Sequence, residues 1–208
     1  MLMLRHCPRS RNIIQLLEWF DEPQRFVLIL DYCHPCQCLI GYIGYRVRLS
    51  EMTACGLMRQ AILAAQHRID SGVFHNDIHS YNFLVNDYSL ELKLIDFGCG
   101  QIFNSDGYRS SQYRGAPDFC PPEVMTEPNF HAVLTNVWSF GVVLYEMLNR
   151  CLPFDQPEEI LHGKIKFQNP YLSRACHDLI GWCFTRDPTK RPTLEQLLQH
   201  EWFRNPQM

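Results

Sequence analysis

"VFHNDIHSYNFLV", Val73–Val85, is the stretch on which the reading of this chain turns. Asp77 and Asn82 stand with four residues between them, and apolar residues flank the group on both sides. The closing "FLV" and the later "LKLIDF" read as two short strands joined by the polar turn "NDYS". A hairpin of that kind carries Asp77, Asn82 and Asp96 to one edge, because the loop before the first strand and the end of the second meet there.

Upstream of this stretch, from Ser50 to about Asp70, the pattern is helical: Leu57, Ala61, Ala64, Ala65, Arg68 and Ile69 fall at spacings of three and four. Ser50 is a plausible N-cap and Gly72 a plausible stop. Further upstream, "LLEWF" (Leu16–Phe20) and "RFVLIL" (Arg25–Leu30) flank "DEPQ" and form a hairpin candidate. The second run is apolar throughout after Arg25, which predicts burial on both faces. Downstream, Gly98 to about Pro128 is irregular, and a structureless connection of that length in a compact domain is usually functional. Beyond it "TNVWSFGVVLYEMLNR", "PEEILHGK", "RACHDLIGWCF" and "TLEQLLQH" read as helices between Pro-containing joints. The expectation is one α+β domain over 1–208, with no repeat and no linker.

The 208 residues are 46% hydrophobic and 20% charged with a net charge of −3, which suits one folded domain with a sizeable core. No basic run offers nucleic acid a surface. No stretch approaches the roughly 20 apolar residues that span a bilayer, and "MLMLRHCPRSR" does not read as a signal peptide. An intracellular location is expected. The ten cysteines then read mostly as small buried hydrophobes rather than a disulfide framework. Within "CHPCQC", Cys33, Cys36 and Cys38 contain a zinc half-site spacing, but no second pair lies at a familiar distance. A turn after a buried strand is the simpler reading.

His75-Asn76-Asp77, Asn82, Asp96-Phe97-Gly98 and Pro121-Pro122-Glu123 follow one another in the order and spacing of the protein-kinase signature. A lone Asp-Phe-Gly is weak evidence, whereas four elements in register are strong. Phosphoryl transfer is mostly positioning and charge neutralisation. One carboxylate, Asp77, is expected to orient the acceptor hydroxyl and take its proton. Asn82 and Asp96 supply the oxygen ligands that Mg²⁺ prefers.

The chain resembles serine/threonine protein kinases, and within them the Pim kinases. "QLLEWFDEPQRFVLIL", "LELKLIDFGCG", "VWSFGVVLYEM", "PFDQPEEI" and "LIGWCFTRDPTKRPTLEQLLQHEWF" carry the likeness, over nearly all of the chain. The resemblance implies a truncated protein-kinase-like fold: a mainly α-helical large lobe (39–208), a hinge (31–38) and a β-hairpin remnant of the small lobe (1–30). It implies ATP and Mg as cofactors and Ser or Thr of a protein as acceptor, in a cytoplasmic monomer that also enters the nucleus. By the same resemblance Leu30 is the gatekeeper and Asp31, Tyr32 and Cys33 form the hinge. Leu84 and Ile95 form the adenine floor, and Cys33 restores an N–H where Pim kinases have proline. Glu123 is expected to pair with Arg191 in a buried ion pair whose rupture typically costs about 3–5 kcal/mol.

The departures from the family are specific. The 208 residues contain no G-x-G-x-x-G, and no V-A-x-K lysine precedes "NIIQLLEWF"; residue 1 aligns near the end of the small-lobe helix. The arginine of H-R-D is Asn76, which removes the usual anchor for a phosphorylated activation segment. The lysine two residues past the base is His79, a shorter side chain with less positive charge near neutrality. The threonine expected after Gly115 is Ala116, losing a hydroxyl that would steady the base. Positions that hold acids for arginine-rich substrates are Cys38, Gly41, Ser80 and Tyr81. The sequence therefore leaves several readings open: an active kinase with further upstream residues, a non-catalytic binding module, a Cys/His metal protein, or a gene copy whose product folds poorly around an exposed hairpin.

Overall fold

The computed structural model describes residues 10–45 and 49–204, so the reading of the amino-terminal "MLMLRHCPR" lies outside the described residues. The architecture is α+β: several small antiparallel sheets gathered against a helical body. Strands β1 (Leu16–Glu22) and β2 (Arg25–Leu30) form the expected hairpin, with Phe20 opposite Val27 and Glu22 opposite Arg25. The expectation that β2 is buried on both faces is not met. Phe26 is 69% exposed, and Leu28, Ile29 and Leu30 are exposed as well. The sheet has two strands, and among the described residues no layer packs over it. An apolar run marks a surface suited to burial, not the element that covers it. The segment leading in is better anchored: Ile14 N–H donates to Leu94 O at 3.0 Å, and Leu94 N–H donates to Asn12 O at 2.8 Å.

Strand β3 (Cys36–Cys38) leads into helix α1 (Leu39–Gly44). The long helix α2 (Glu51–Asp70) starts where Ser50 Oγ accepts the Thr53 N–H at 3.1 Å. It ends at Gly72, whose φ of 79° lets the chain reverse and whose N–H reaches Ile69 O at 2.9 Å. The predicted boundaries hold because capping chemistry is local. Strand β4 (Val73–Phe74) opens the loop quoted above, and β5 (Phe83–Asn86) and β6 (Leu92–Leu94) close it as an antiparallel pair joined to β3. β6 stops short of Asp96 because Asp96, at φ 58°, has left the extended region.

The irregular segment contains short ordered pieces that periodicity cannot detect. β7 (Gln101–Ile102) pairs with β4, and β8 (Tyr108–Arg109) pairs with β9 (Asn129–Phe130), with helix α3 (Pro122–Thr126) between them. A small core of Ile69, Phe74, Tyr108, Phe130 and Ala132 lies beneath, so the segment is fastened to the loop by aromatic packing.

Helix α4 (Ala132–Asn149) is buried along almost its whole length and forms the centre of the main core. Helix α5 (Pro157–His162) follows, then α6 (Arg174–Cys183), α7 (Leu194–Leu198) and α8 (Glu201–Arg204). Gly141 permits the crossing of α4 and α6: a Cβ there would lie 2.6 Å from Cys183 Cβ. Cys55, Cys120, Cys176 and Cys183 are buried as the composition suggested. Cys33 and Cys36 correct that picture, because Cys33, on the connection after β2, and Cys36, the first residue of β3, are joined as a disulfide. Cys151 is exposed.

One buried acid staples the two ends of the helical body. Glu51 Oε1 accepts the Ser173 N–H at 2.6 Å, and Oε2 accepts Ser173 Oγ–H and Trp202 Nε1–H, each at 2.7 Å. Glu51→Ala leaves three buried donors without an acceptor and should cost about 3 kcal/mol, since bonds to a charged group are the strong ones. The urea midpoint should fall accordingly, and an unchanged midpoint would contradict this role.

Candidate functional site

The loop between β4 and β5 is shaped by Asn76, which adopts φ 63°, a left-handed conformation that asparagine tolerates better than most residues. His75 is buried beside it. Its Nδ1 accepts the Asp77 N–H at 3.3 Å, which leaves the proton on Nε2 to be donated to Ile95 O at 2.9 Å. The ring also meets Phe97 edge-on at 4.8 Å. His75 thus ties the loop to the residue preceding Asp96. Burial pushes its pKa below the usual imidazole value, against the pull of the Ile95 carbonyl and the neighbouring carboxylates. A lowered folded pKa means that the unfolded chain binds a proton the folded chain refuses. This stability is present above the ordinary value near 6.5 and is lost as pH falls below it, by about 1.4 kcal/mol per pH unit. Urea unfolding at successive pH values should show this slope, and His75→Gln should flatten it relative to the unmodified chain; parallel curves would rule the account out.

Asp77 is held on three sides. Oδ1 accepts the Ala116 N–H at 2.9 Å, and Oδ2 lies 3.3 Å from both His79 Nε2 and Asn82 Nδ2. Burial pushes its pKa up, but the His79 imidazole and the Ala116 N–H outweigh that, so the carboxyl sits below the usual value and is ionised near neutrality. Ala116 brings no side-chain hydroxyl to Asp77, and its backbone N–H is what holds the carboxylate on this side.

Asn82 donates to Asp77 O at 2.9 Å, and its own carbonyl accepts the Ile95 N–H at 2.9 Å. These bonds join the loop to the strand end that carries Asp96. Asp96 is exposed, and its Oδ1 accepts the Gly98 N–H at 3.0 Å. His79 is wedged between the other groups: Nδ1 accepts the Tyr81 N–H at 3.2 Å, while Nε2 faces Asp77 and lies 3.1 Å from Asn82 Nδ2. The imidazole is occupied within the loop rather than extended away from it. Asn76 Nδ2 lies 3.4 Å from both Cys99 O and Gln112 O, so this shorter side chain still touches the downstream segment.

The remaining predicted residues fall into two groups. Along one edge, Asp31 N–H donates to Gln15 O at 2.9 Å, Asp31 Oδ1 accepts the Gln15 N–H at 2.6 Å, and Oδ2 pairs with Lys93 Nζ. Lys93 lies opposite Leu84 in the β5–β6 pair, and Leu84 and Ile95 are half-buried. Leu30 ends β2 nearby in sequence but is exposed, and Cys33 carries the disulfide. In the helical body, Arg191 grips Glu123 with two bonds of 2.7 and 2.8 Å. The same guanidinium donates to Thr185 O and Leu134 O, each at 2.8 Å, and lies over the Trp138 ring at 5.2 Å.

Glu146 escaped the sequence reading. It is buried on α4 and accepts a hydrogen bond from Ser80 Oγ. Burial raises its pKa, against the Ser80 bond and the charge of His79. The available signal was a lone acid in an otherwise apolar helix. An acid therefore lies directly behind Ser80, one of the positions noted as having none.

For a magnesium–nucleotide complex the donor set is suitable but sparse. Asn82 and Asp96 offer oxygen ligands, while among the described residues no three His, Cys, Asp or Glu converge on a metal position. A hard cation here would need water and phosphate for the rest of its shell, which is how Mg²⁺ is usually held.

The family model of the protein kinase domain matches residues 1–203. The chain is 36% identical over 196 residues to the serine/threonine-protein kinase pim-2 of Danio rerio, covering 94% of this chain and 62% of that protein. It is 33% identical over 204 residues to the serine/threonine-protein kinase prk-2 of Caenorhabditis elegans, covering 96% and 46%. Over 207 residues it is 30% identical to a probable serine/threonine-protein kinase, MARK-A, of Dictyostelium discoideum, covering 97% and 19%. The chain thus spans less than two thirds of the length of these curated relatives. With a matching signature, an ordered loop around Asp77 and relatives of one kind, the chain belongs to the protein kinase domain family and is similar to its Pim-type serine/threonine members.

Proposed function

We propose that this chain carries a serine/threonine phosphotransferase site that uses ATP and Mg²⁺ and acts on proteins. The observation that carries the reading is the preformed setting of Asp77, an ionised carboxylate held by the Ala116 N–H and flanked by Asn82. Bound magnesium–ATP would supply the transferable phosphoryl group. Asp77 orients the acceptor hydroxyl and takes its proton, and Asn82 and Asp96 present oxygens to the metal. Residues 31–38 are the hinge against which adenine packs, with Leu84 and Ile95 beneath and Leu30 at the gatekeeper position. Residues 39–208 form the large lobe, and the hairpin belongs to the small lobe. Beside Ala116, a cavity of about 240 Å³ lined by Tyr113, Pro117, Cys120, Phe154 and Ile160 offers an acceptor segment an apolar seat. Among the described residues no helix is long and apolar enough to cross a membrane, and the reading places the protein in the cytoplasm as a monomer.

One observation favours a second reading, a binding module without turnover. His79 stands where the family has a phosphate-facing lysine, and its ring is engaged with Asp77 and Asn82. Transfer of γ-³²P from ATP to Ser/Thr peptides, with and without Mg²⁺, separates the two. Metal-dependent incorporation supports the enzyme. Nucleotide retention without incorporation supports the binding module, and failure to bind nucleotide at all sinks both.

A further inference from the structure

"CHPCQC" (33–38) places three of the ten cysteines on the short connection from β2 to the end of β3, and only the Cys33 N–H has a part in the reading above. The connection is fixed at both ends. Asp31 is bound to Gln15 and Lys93. Gln37 pairs with Val85 in the sheet and donates through Nε2 to Asp87 Oδ1 at 2.5 Å. Between these anchors Tyr32 is 82% exposed, and its ring stacks on His34 at 5.9 Å. Cys33 and Cys36 are joined, with Cα atoms 5.6 Å apart, within the ordinary span of a disulfide. Cys38 is a free thiol two residues beyond. C-x-x-C is a spacing at which disulfides form and exchange readily, and in a reducing compartment such bonds are transient and responsive rather than structural.

We infer that Cys33 and Cys36 form a redox switch on the edge of the nucleotide site. The disulfide fixes the backbone at Cys33, whose N–H the phosphotransferase reading assigns to adenine, and reduction releases it. The effect on ATP rests on that reading; the chemistry at sulfur does not. In the closing direction, one of the two thiolates attacks a low-molecular-weight disulfide such as oxidised glutathione. A mixed disulfide forms and one glutathione thiolate leaves. The second cysteine thiolate then attacks the protein sulfur of the mixed disulfide, closing the Cys33–Cys36 bond and releasing the second glutathione. Two electrons and two protons pass from the protein thiols to the glutathione disulfide, which ends as two thiols.

The test uses the 208-residue chain equilibrated with oxidised or reduced glutathione. Alkylation and peptide mass read the thiols, amide hydrogen exchange reads residues 31–38, and a fluorescent ATP analogue reads affinity. Oxidation should protect Cys33 and Cys36 from alkylation, slow exchange across 31–38, and tighten nucleotide binding about tenfold, as when a competent state rises from a tenth to most of the population. Cys36→Ser should abolish all three responses, and Cys38→Ser should preserve them. The inference is overturned if both thiols stay alkylatable under oxidised glutathione, if Cys38 takes either place in the bond, or if exchange across 31–38 is the same in both states. Equal nucleotide affinity in the two states overturns it too. If neither state binds nucleotide, the phosphotransferase reading fails, and hydrogen exchange alone decides the switch.

Discussion

Replacing Arg191 by alanine is expected to destabilise the chain by about 3–5 kcal/mol, the usual loss when one partner of a buried ion pair is removed. The reason lies in what is left behind. Arg191 and Glu123 are both almost fully buried, so Glu123 would remain as an uncompensated carboxylate. The carbonyls of Thr185 and Leu134 would lose a donor, and the Trp138 ring would lose the guanidinium against it. Glu123→Gln should be milder, because Arg191 keeps its carbonyl partners. A double variant, Glu123→Gln with Arg191→Met, should recover part of the loss, since a paired charge and an apolar filling are often nearly equivalent in stability. For a chain of this size the single loss corresponds to a drop in melting temperature on the order of 10 °C. A drop of only a degree or two would show that the pair is more solvated than its burial implies.

If the proposed phosphotransferase reading holds, Asp77→Asn should lower the rate of phosphoryl transfer by about 10²–10⁴-fold, the range expected when a positioned proton acceptor is lost. The substitution is nearly isosteric, and the new amide oxygen can still accept the Ala116 N–H. Its NH₂ would then face His79 Nε2 and Asn82 Nδ2, where the carboxylate now accepts. The loss should appear in kcat with the KM for ATP little changed, because the proposed role of Asp77 is toward the acceptor rather than the nucleotide. Retention of activity within about tenfold of the unmodified chain would remove Asp77 from this role.

The legible parts of this molecule are those set by short-range chemistry. Ser50 caps α2 through an oxygen three residues from its target, and Gly72 ends the turn after it through its own freedom of φ. The β5–β6 pair follows from two apolar runs and one polar turn. Much of the site's residue content was equally legible, since Asp77, Asn82 and Asp96 stand in a fixed order along the chain. What the residues do to one another was not. Ala116 looks like a loss by residue type, yet the backbone N–H that every such residue carries lies 2.9 Å from Asp77. Glu146 lies 66 residues from Ser80, so no local pattern could announce the contact.

The helical half, the paired strands around the loop and the family to which the chain belongs can all be read along the chain. Those features depend on residue type and on spacing within a few positions. Tertiary structure alone decided that β2 lies exposed, that His79 turns inward onto Asp77 and Asn82, that an acid sits behind Ser80, and that Cys33 and Cys36 are bonded. Each depends on which surfaces meet after the chain has folded. Burial and hydrogen bonding between distant segments are properties of the packed arrangement, and no single segment encodes its partner.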